Sequence, residues 1–150
     1  MTFTVKKFTV DHAAEWQSLK FEGVNNFPLG FLITLEEALE TTQDRARCIL
    51  IFGSAATAQS PLNYHTTIGP FFERSKYQDC GAAQSLMLGV IQEARVAKIE
   101  QLELYVDTKN YRAIRFYEQQ GFKWVATHTD SIRIDGTSRD DHFYCLRLFR

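Results

Sequence analysis

"YQDCGAAQSLMLGVIQEARVAK", residues 77–98, is the stretch on which the reading of this chain turns. Past Gly81 the apolar residues Ala83, Leu86, Met87, Val90, Ala94 and Ala97 recur at intervals of mostly three and four, which predicts one face of a long amphipathic helix over 81–98. At the start of such a helix the main-chain N–H groups lack helical partners, and the macrodipole adds partial positive charge. That makes a ready anion site, and Gly81, Ala82 and Ala83 are small enough to let a phosphate approach the main chain. A glycine that merely turns a loop into a helix explains the same residues. The spacing matches neither G-x-x-x-x-G-K-[ST] nor G-x-G-x-x-G, so ATP and dinucleotides are disfavoured.

Working outward toward the C-terminus, "QLELYVD" (101–107) alternates with Leu102, Leu104 and Val106 on one side, the pattern of a strand. Asn110 is a good N-cap for a second helix running through Ala113, Ile114 and Tyr117, and Gly121 is a good residue to end it. The tail, residues 122–149, holds two strand patterns around Asp135-Gly136, a dipeptide favoured in tight hairpins. Toward the N-terminus, "YHTTIGPFFE" (64–73) reads as a strand in which Pro70 demands an edge or a bulge. "CILIFGSAA" (48–56) reads as a buried strand, and "TLEEALE" (34–40) as a short helix opened by Thr34 with Glu37 three residues on. "FTVKKFT" (3–9) predicts an opening strand, followed by a helix capped by Asp11. The order β-α-α-β-β-α-β-α-β-β describes an α/β layered domain with a mixed sheet and helices on its faces.

Composition narrows the classes. A chain of 150 residues with 45% hydrophobic content is the size of one domain, 1–150, closing a single core. Seventeen basic against eighteen acidic residues give a net charge of −1, which offers no field for nucleic acid or an anionic membrane. No apolar run approaches the roughly 20 residues that span a bilayer. The N-terminus lacks the apolar region and cleavage site of a signal peptide, so the expected compartment is cytoplasmic. Cys48, Cys80 and Cys145 are odd in number and form no C-x-x-C pair, so no metal site or disulfide framework is expected.

A second stretch, "VDTKNYRAIRFYEQQGF" (106–122), joins the first to give a resemblance. Gln78, Gly81 and Ala83 fit the form [QR]-x-x-G-x-[GA]. Asn110, Ala113, Tyr117, Gly121 and Phe122 fit N-x-x-A-x-x-x-Y-x-x-x-G-F. Together, in this order, they resemble the GNAT superfamily of acyl-CoA-dependent N-acyltransferases, and the element order agrees with that family's plan less one strand. The resemblance implies a mixed, mostly antiparallel central sheet splayed between two parallel strands, with about four helices on its faces. It implies acetyl-CoA as cosubstrate, its pantetheine arm in the splay and its pyrophosphate on the helix N-terminus. The cofactor-contacting positions are then Phe72, Gln78, Asp79, Cys80, Gly81, Ala82, Ala83, Gln84, Asn110, Ala113 and Tyr117. The acceptor is a primary amine on a small molecule or peptide, and dimers are common among such proteins.

In that scheme Tyr117 protonates the departing thiolate as general acid; as a residue alone it reads equally as a core aromatic, with Ala113 and Ile114 one turn before it. A neutral amine is needed for attack, so a base must take its proton, and Glu73 and His65 are the candidates. Cys80, at a helix start, has the setting of a lowered thiol pKa but no identifiable partner. Glu22, Asp130, Asp135 and Asp141 could attract a cationic amine. Asp79 sets a carboxylate beside the phosphate position, which keeps open a CoA-binding sensor that has lost catalysis.

Overall fold

The computed structural model describes residues 3–31, 35–40, 42, 64–134 and 136–149. The chain divides into two compact units, residues 1–62 with 72–86 and residues 63–71 with 87–150.

In the first unit, a single 3-10 turn, Val10–His12, leads into helix α1, Ala13–Asn26. The cap is Thr9 rather than the expected Asp11: the Thr9 amide donates to His12 Nδ1 at 3.1 Å, so helical structure starts before the aspartate. Residues 3–9 form no strand, because alternation makes a strand only where a neighbour accepts its main chain, and none of the described strands pairs with it. Helices α2 (Pro28–Phe31) and α3 (Leu35–Leu39) follow, while the Thr34 cap lies outside the described residues, as does the strand expected over 48–56. Val24, Phe31 and Ala38 form this unit's core, flanked by Phe21 and Phe72. Gly23 is required by that packing, since a Cβ there would sit 2.1 Å from the Phe31 ring.

The second unit is built on a four-stranded sheet in the order β1 (His65–Thr67), β2 (Gln101–Asp107), β4 (Thr137–Arg147), β3 (Lys123–Ile134). β1 and β2 are parallel, and the other pairs are antiparallel. The strand expected over 64–73 ends at Thr67, before Pro70, which has no N–H to continue a ladder. Helix α4, Ala82–Val96, opens in the first unit and runs into the second, where Met87 and Ala94 are buried and Val90 and Ile91 pack beside them. The helical face is thus rotated slightly from the expected one, with Leu86 and Ala97 exposed. Helix α5, Tyr111–Gln119, starts at Asn110, whose Oδ1 accepts from the Ala113 amide at 3.2 Å. It stops at Gly121 (φ +95°), with the Phe122 amide donating to the Tyr117 carbonyl and the Gly121 amide to that of Glu118, a Schellman ending. Leu102, Leu104, Val106 and Tyr144 lie on the sheet face that packs with Met87, Ile99, Tyr117 and Phe122. The β3–β4 hairpin turns at Gly136 (φ +74°), with Ile134 opposite Thr137.

Candidate active site

The glycine loop belongs to the first unit. Asp79 (φ +60°) and Gly81 (φ +89°) both take left-handed backbone, which an aspartate tolerates and a glycine adopts without strain. A Cβ on Gly81 would meet nothing within 4 Å among the described residues, so glycine is set there by backbone conformation and not by packing. The Ser85 amide makes the first helical bond, to the Gly81 carbonyl at 3.0 Å. That leaves the amides of Ala82, Ala83 and Gln84 outside the ladder. The Ala83 amide donates to Glu73 Oε1 at 3.1 Å, so a carboxylate already sits on part of the anion position. The amides of Ala82 and Gln84 have no protein partner among the described residues. Cys80 is half-buried and its thiol donates to the Tyr77 carbonyl. Phe72 packs its ring against Phe27 and Phe31, at centroid distances of 5.9 and 6.0 Å, so its side chain is part of the core.

In the second unit the parallel strands part early. Their register covers His65 with Gln101 through Thr67 with Glu103, and the Ile68 amide donates to the Glu103 carbonyl at 2.7 Å. β2 continues to Asp107 with β4 alone beside it. By the alternation of strand main chains, Tyr105 turns its N–H and C=O toward the side that β1 has left, and neither has a backbone partner among the described residues. An extended amide chain entering that gap would find a donor and an acceptor waiting.

Tyr117 is 9% exposed, with its ring against Phe71, Phe116 and Phe122. Burial pushes its phenol up to about 12. Its hydroxyl has no hydrogen-bond partner among the described residues. Tyr144 makes the contrast: it is also buried and pushed up to about 12, first by burial and then by Glu118, but its hydroxyl donates to Glu118 Oε1 at 3.0 Å. One tyrosine is satisfied within the fold, and the other keeps its proton available. Ala113 lies partly buried beside the core, and Asn110 has its Oδ1 engaged as the α5 cap, which leaves only its Nδ2 for a ligand.

The side chains expected to draw in an amine separate cleanly. Glu22 is paired with Arg74 at 2.8 Å, and Asp130 with Arg133 at 2.9 Å and with the Ser138 hydroxyl. Asp135 lies outside the described residues. His65 is exposed and pairs with Glu103 at 3.2 Å. Among the described residues, Asp141 is buried with an oxygen, Oδ1, that has no hydrogen-bond partner. The neighbouring ion pair, buried Asp107 with Arg139, was not legible in the sequence, because its partners are 32 residues apart and meet only through strand register. Among the described residues no three His, Cys, Asp or Glu side chains are grouped as a metal site needs, and no helix is long and apolar enough to cross a membrane.

The model of the Acetyltransferase (GNAT) family matches residues 7–122, more than three quarters of the chain. The chain belongs to the GNAT acetyltransferase family. No curated protein matches it by sequence. Among solved structures, an N-acetyltransferase from Staphylococcus aureus Mu50 is similar with a TM-score of 0.76 and 14% identity, over 97% of this chain and 98% of that one. A ribosomal-protein-alanine N-acetyltransferase from Brucella melitensis gives 0.71 and 15% identity, over 97% of this chain and 99% of that one. Arabidopsis thaliana NAA60 in complex with acetyl-CoA gives 0.53 and 21% identity, over 55% of this chain and 48% of that one. At these identities the likeness is one of fold, and the sheet with its single parallel pair is the GNAT arrangement.

Proposed function

We propose that this GNAT protein transfers an acetyl group from acetyl-CoA to a primary amine, on a small molecule or a peptide, by direct attack in a ternary complex. The observation that carries the reading is the parted parallel pair in the second unit, with the Tyr105 main chain lacking a partner among the described residues. The unengaged Tyr117 hydroxyl in that unit adds to it. Each unit by itself suits a part of the cosubstrate: in the first, the Ala82 and Gln84 amides at the start of α4 suit a diphosphate, and in the second, the Tyr105 main chain suits an extended amide chain. Acetyl-CoA supplies an acetyl group activated as a thioester.

The chain's part is to hold, orient and move protons. Tyr117, with a phenol near 12, keeps its proton throughout the working range and donates it to sulfur as charge develops there. The parent thiol has a pKa of about 8.5, so complete transfer is uphill, and the benefit comes from hydrogen-bonding the developing thiolate. Glu73 acts at the loop: its carboxylate satisfies the Ala83 amide and must yield that donor to a diphosphate. In this reading the chain is one catalytic domain working in the cytoplasm.

Acetyl-CoA is expected to raise the melting temperature, since a ligand bound only by the native state stabilises it. Free thiol should then appear when polyamines, amino acids or N-terminal peptides are added. No thermal response and no thiol would reject the reading. Glu73→Gln discriminates further: as a competitor of the diphosphate its loss tightens acetyl-CoA binding by roughly two- to fivefold, on the scale of a charge at a helix terminus. A general base removed by the same change would instead lower turnover and leave affinity alone. A second reading, a CoA-binding sensor without catalysis, is favoured by the two carboxylates at the loop, Asp79 and Glu73; it predicts the thermal response without thiol release.

A further inference from the structure

β2 and β4 pair Asp107 with Asp141 directly, and β4 and β3 pair Asp141 with His128, so these side chains share one sheet face, opposite to the one that carries Leu104 and Tyr144. Both aspartates are buried, at 3% and 4% exposure. Arg139 binds Asp107 as a fork, through Nη2 to Oδ1 at 2.8 Å and through Nε to Oδ2. Among the described groups facing these carboxylates, Arg139 is forked onto Asp107 and not onto Asp141, and His128 stands opposite Asp141. Burial raises the Asp141 carboxyl above the ordinary range; the nearby Ser131 hydroxyl opposes that rise, Asp107 adds to it, and His128 and Arg139 oppose it, while the Ser131 hydroxyl itself donates to the Arg139 carbonyl at 3.3 Å. Oδ1 accepts no hydrogen bond from the described residues. A buried carboxylate oxygen without a donor is costly enough that a native fold rarely keeps one without use.

Two residues along each strand, on the same face, stand Tyr105 and Phe143, stacked with ring centroids 5.0 Å apart, and His128 lies 5.4 Å from Tyr105. Tyr105 is exposed. An aromatic wall beside an orphan carboxylate is the chemistry that receives an organic ammonium: the carboxylate accepts N–H bonds, and the ring faces attract the cation. Arg139 cannot serve as that cation while it is forked onto Asp107.

We propose that Asp141, with Tyr105 and Phe143, forms the subsite that takes the acceptor as a primary ammonium bearing an aromatic or apolar body. The inference deepens the transferase reading and rests on it for the acceptor role, although the binding itself does not require acetyl-CoA chemistry. Protonation of Asp141 removes the attraction, so affinity falls on the acid side. Asp107 on β2, His128 on β3 and Arg139 on β4 are the charged or titratable groups that set where this occurs.

The test is calorimetric titration of the full chain with 2-phenylethylammonium, with and without coenzyme A, and with 2-phenylethanol as the uncharged counterpart. The expected result is binding of the ammonium only, weakening as pH is lowered, and reduced at least tenfold in Asp141→Asn. Equal affinity for ammonium and alcohol in the unaltered protein would overturn the subsite, and that arm needs no variant to fold. So would equal ammonium affinity in the protein and in Asp141→Asn. Ammonium binding that depends on Asp141 in a protein indifferent to acetyl-CoA would keep the subsite and reject the transferase reading. A response to acetyl-CoA with amine binding insensitive to Asp141 would do the reverse.

Discussion

On one face of the sheet in the second unit, Leu102, Leu104, Val106 and Tyr144 are closed over by Met87, Tyr117 and Phe122; on the other, Asp107 and Asp141 are buried beside a single guanidinium. Both faces bury side chains, although Tyr105 on the polar one is exposed, and what they bury stores free energy with opposite sign. The apolar face stabilises the fold through area withdrawn from solvent. The polar face carries a carboxylate that would be more comfortable in solution, and such groups persist where function requires them. The same division runs between the two buried tyrosines, one bonded to Glu118 and one whose hydroxyl has no partner among the described residues.

The largest effect is expected on the apolar face. Leu104 is 2% exposed, and Leu104→Ala should cost about 3 kcal/mol of unfolding free energy by loss of transfer energy and cavity formation, read from urea midpoints. A loss under about 1 kcal/mol would mean that this face is not the packed one.

Exchanging phenols sharpens the second contrast. Tyr117→Phe should lower turnover roughly a hundredfold, equivalent to about 2.7 kcal/mol, with little change in stability or in acetyl-CoA affinity. Tyr144→Phe should leave turnover alone and cost about 1 kcal/mol of stability through the lost bond to Glu118. Reversed phenotypes in stopped-flow and melting experiments would exchange their roles.

The subtlest expectation separates the two carboxylates. Burial would raise Asp107, but hydrogen bonds from Arg139 and the Lys109 amide outweigh it and hold its carboxyl below the ordinary value. Its stabilisation is therefore present above the unfolded pKa of about 4 and lost as pH falls through the folded one. Asp141 is raised, so its contribution is complete below about pH 4 and lost as pH rises through its folded value. Asp141→Asn should consequently melt a few degrees higher than the unaltered protein at neutral pH, with the gap closing under acid. A variant less stable at neutral pH would contradict the sign.

Local periodicity carried much of the fold: α4, β2, the Asn110 cap, the Gly121 ending and the hairpin at Gly136 all follow from residues close in sequence. What depended on a distant partner was less legible. The alternation of 3–9 specified a strand without saying what would pair with it, and "YHTTIGPFFE" could not show that its ladder ends at Thr67. At the candidate site, Gly81, Ala83 and Tyr117 stood out by motif. Glu73 reaching the Ala83 amide across ten residues did not, nor did the lack of a partner for Asp141 Oδ1 among the described residues, with Arg139 forked onto Asp107 instead.

The most direct test is mass-spectrometric detection of acetyl transfer from isotopically labelled acetyl-CoA to a panel of primary amines. The account predicts labelled N-acetyl product whose rate collapses in Tyr117→Phe. Labelled acetyl-CoA that is never discharged onto any amine, by a protein folded and at saturating cosubstrate, would contradict it.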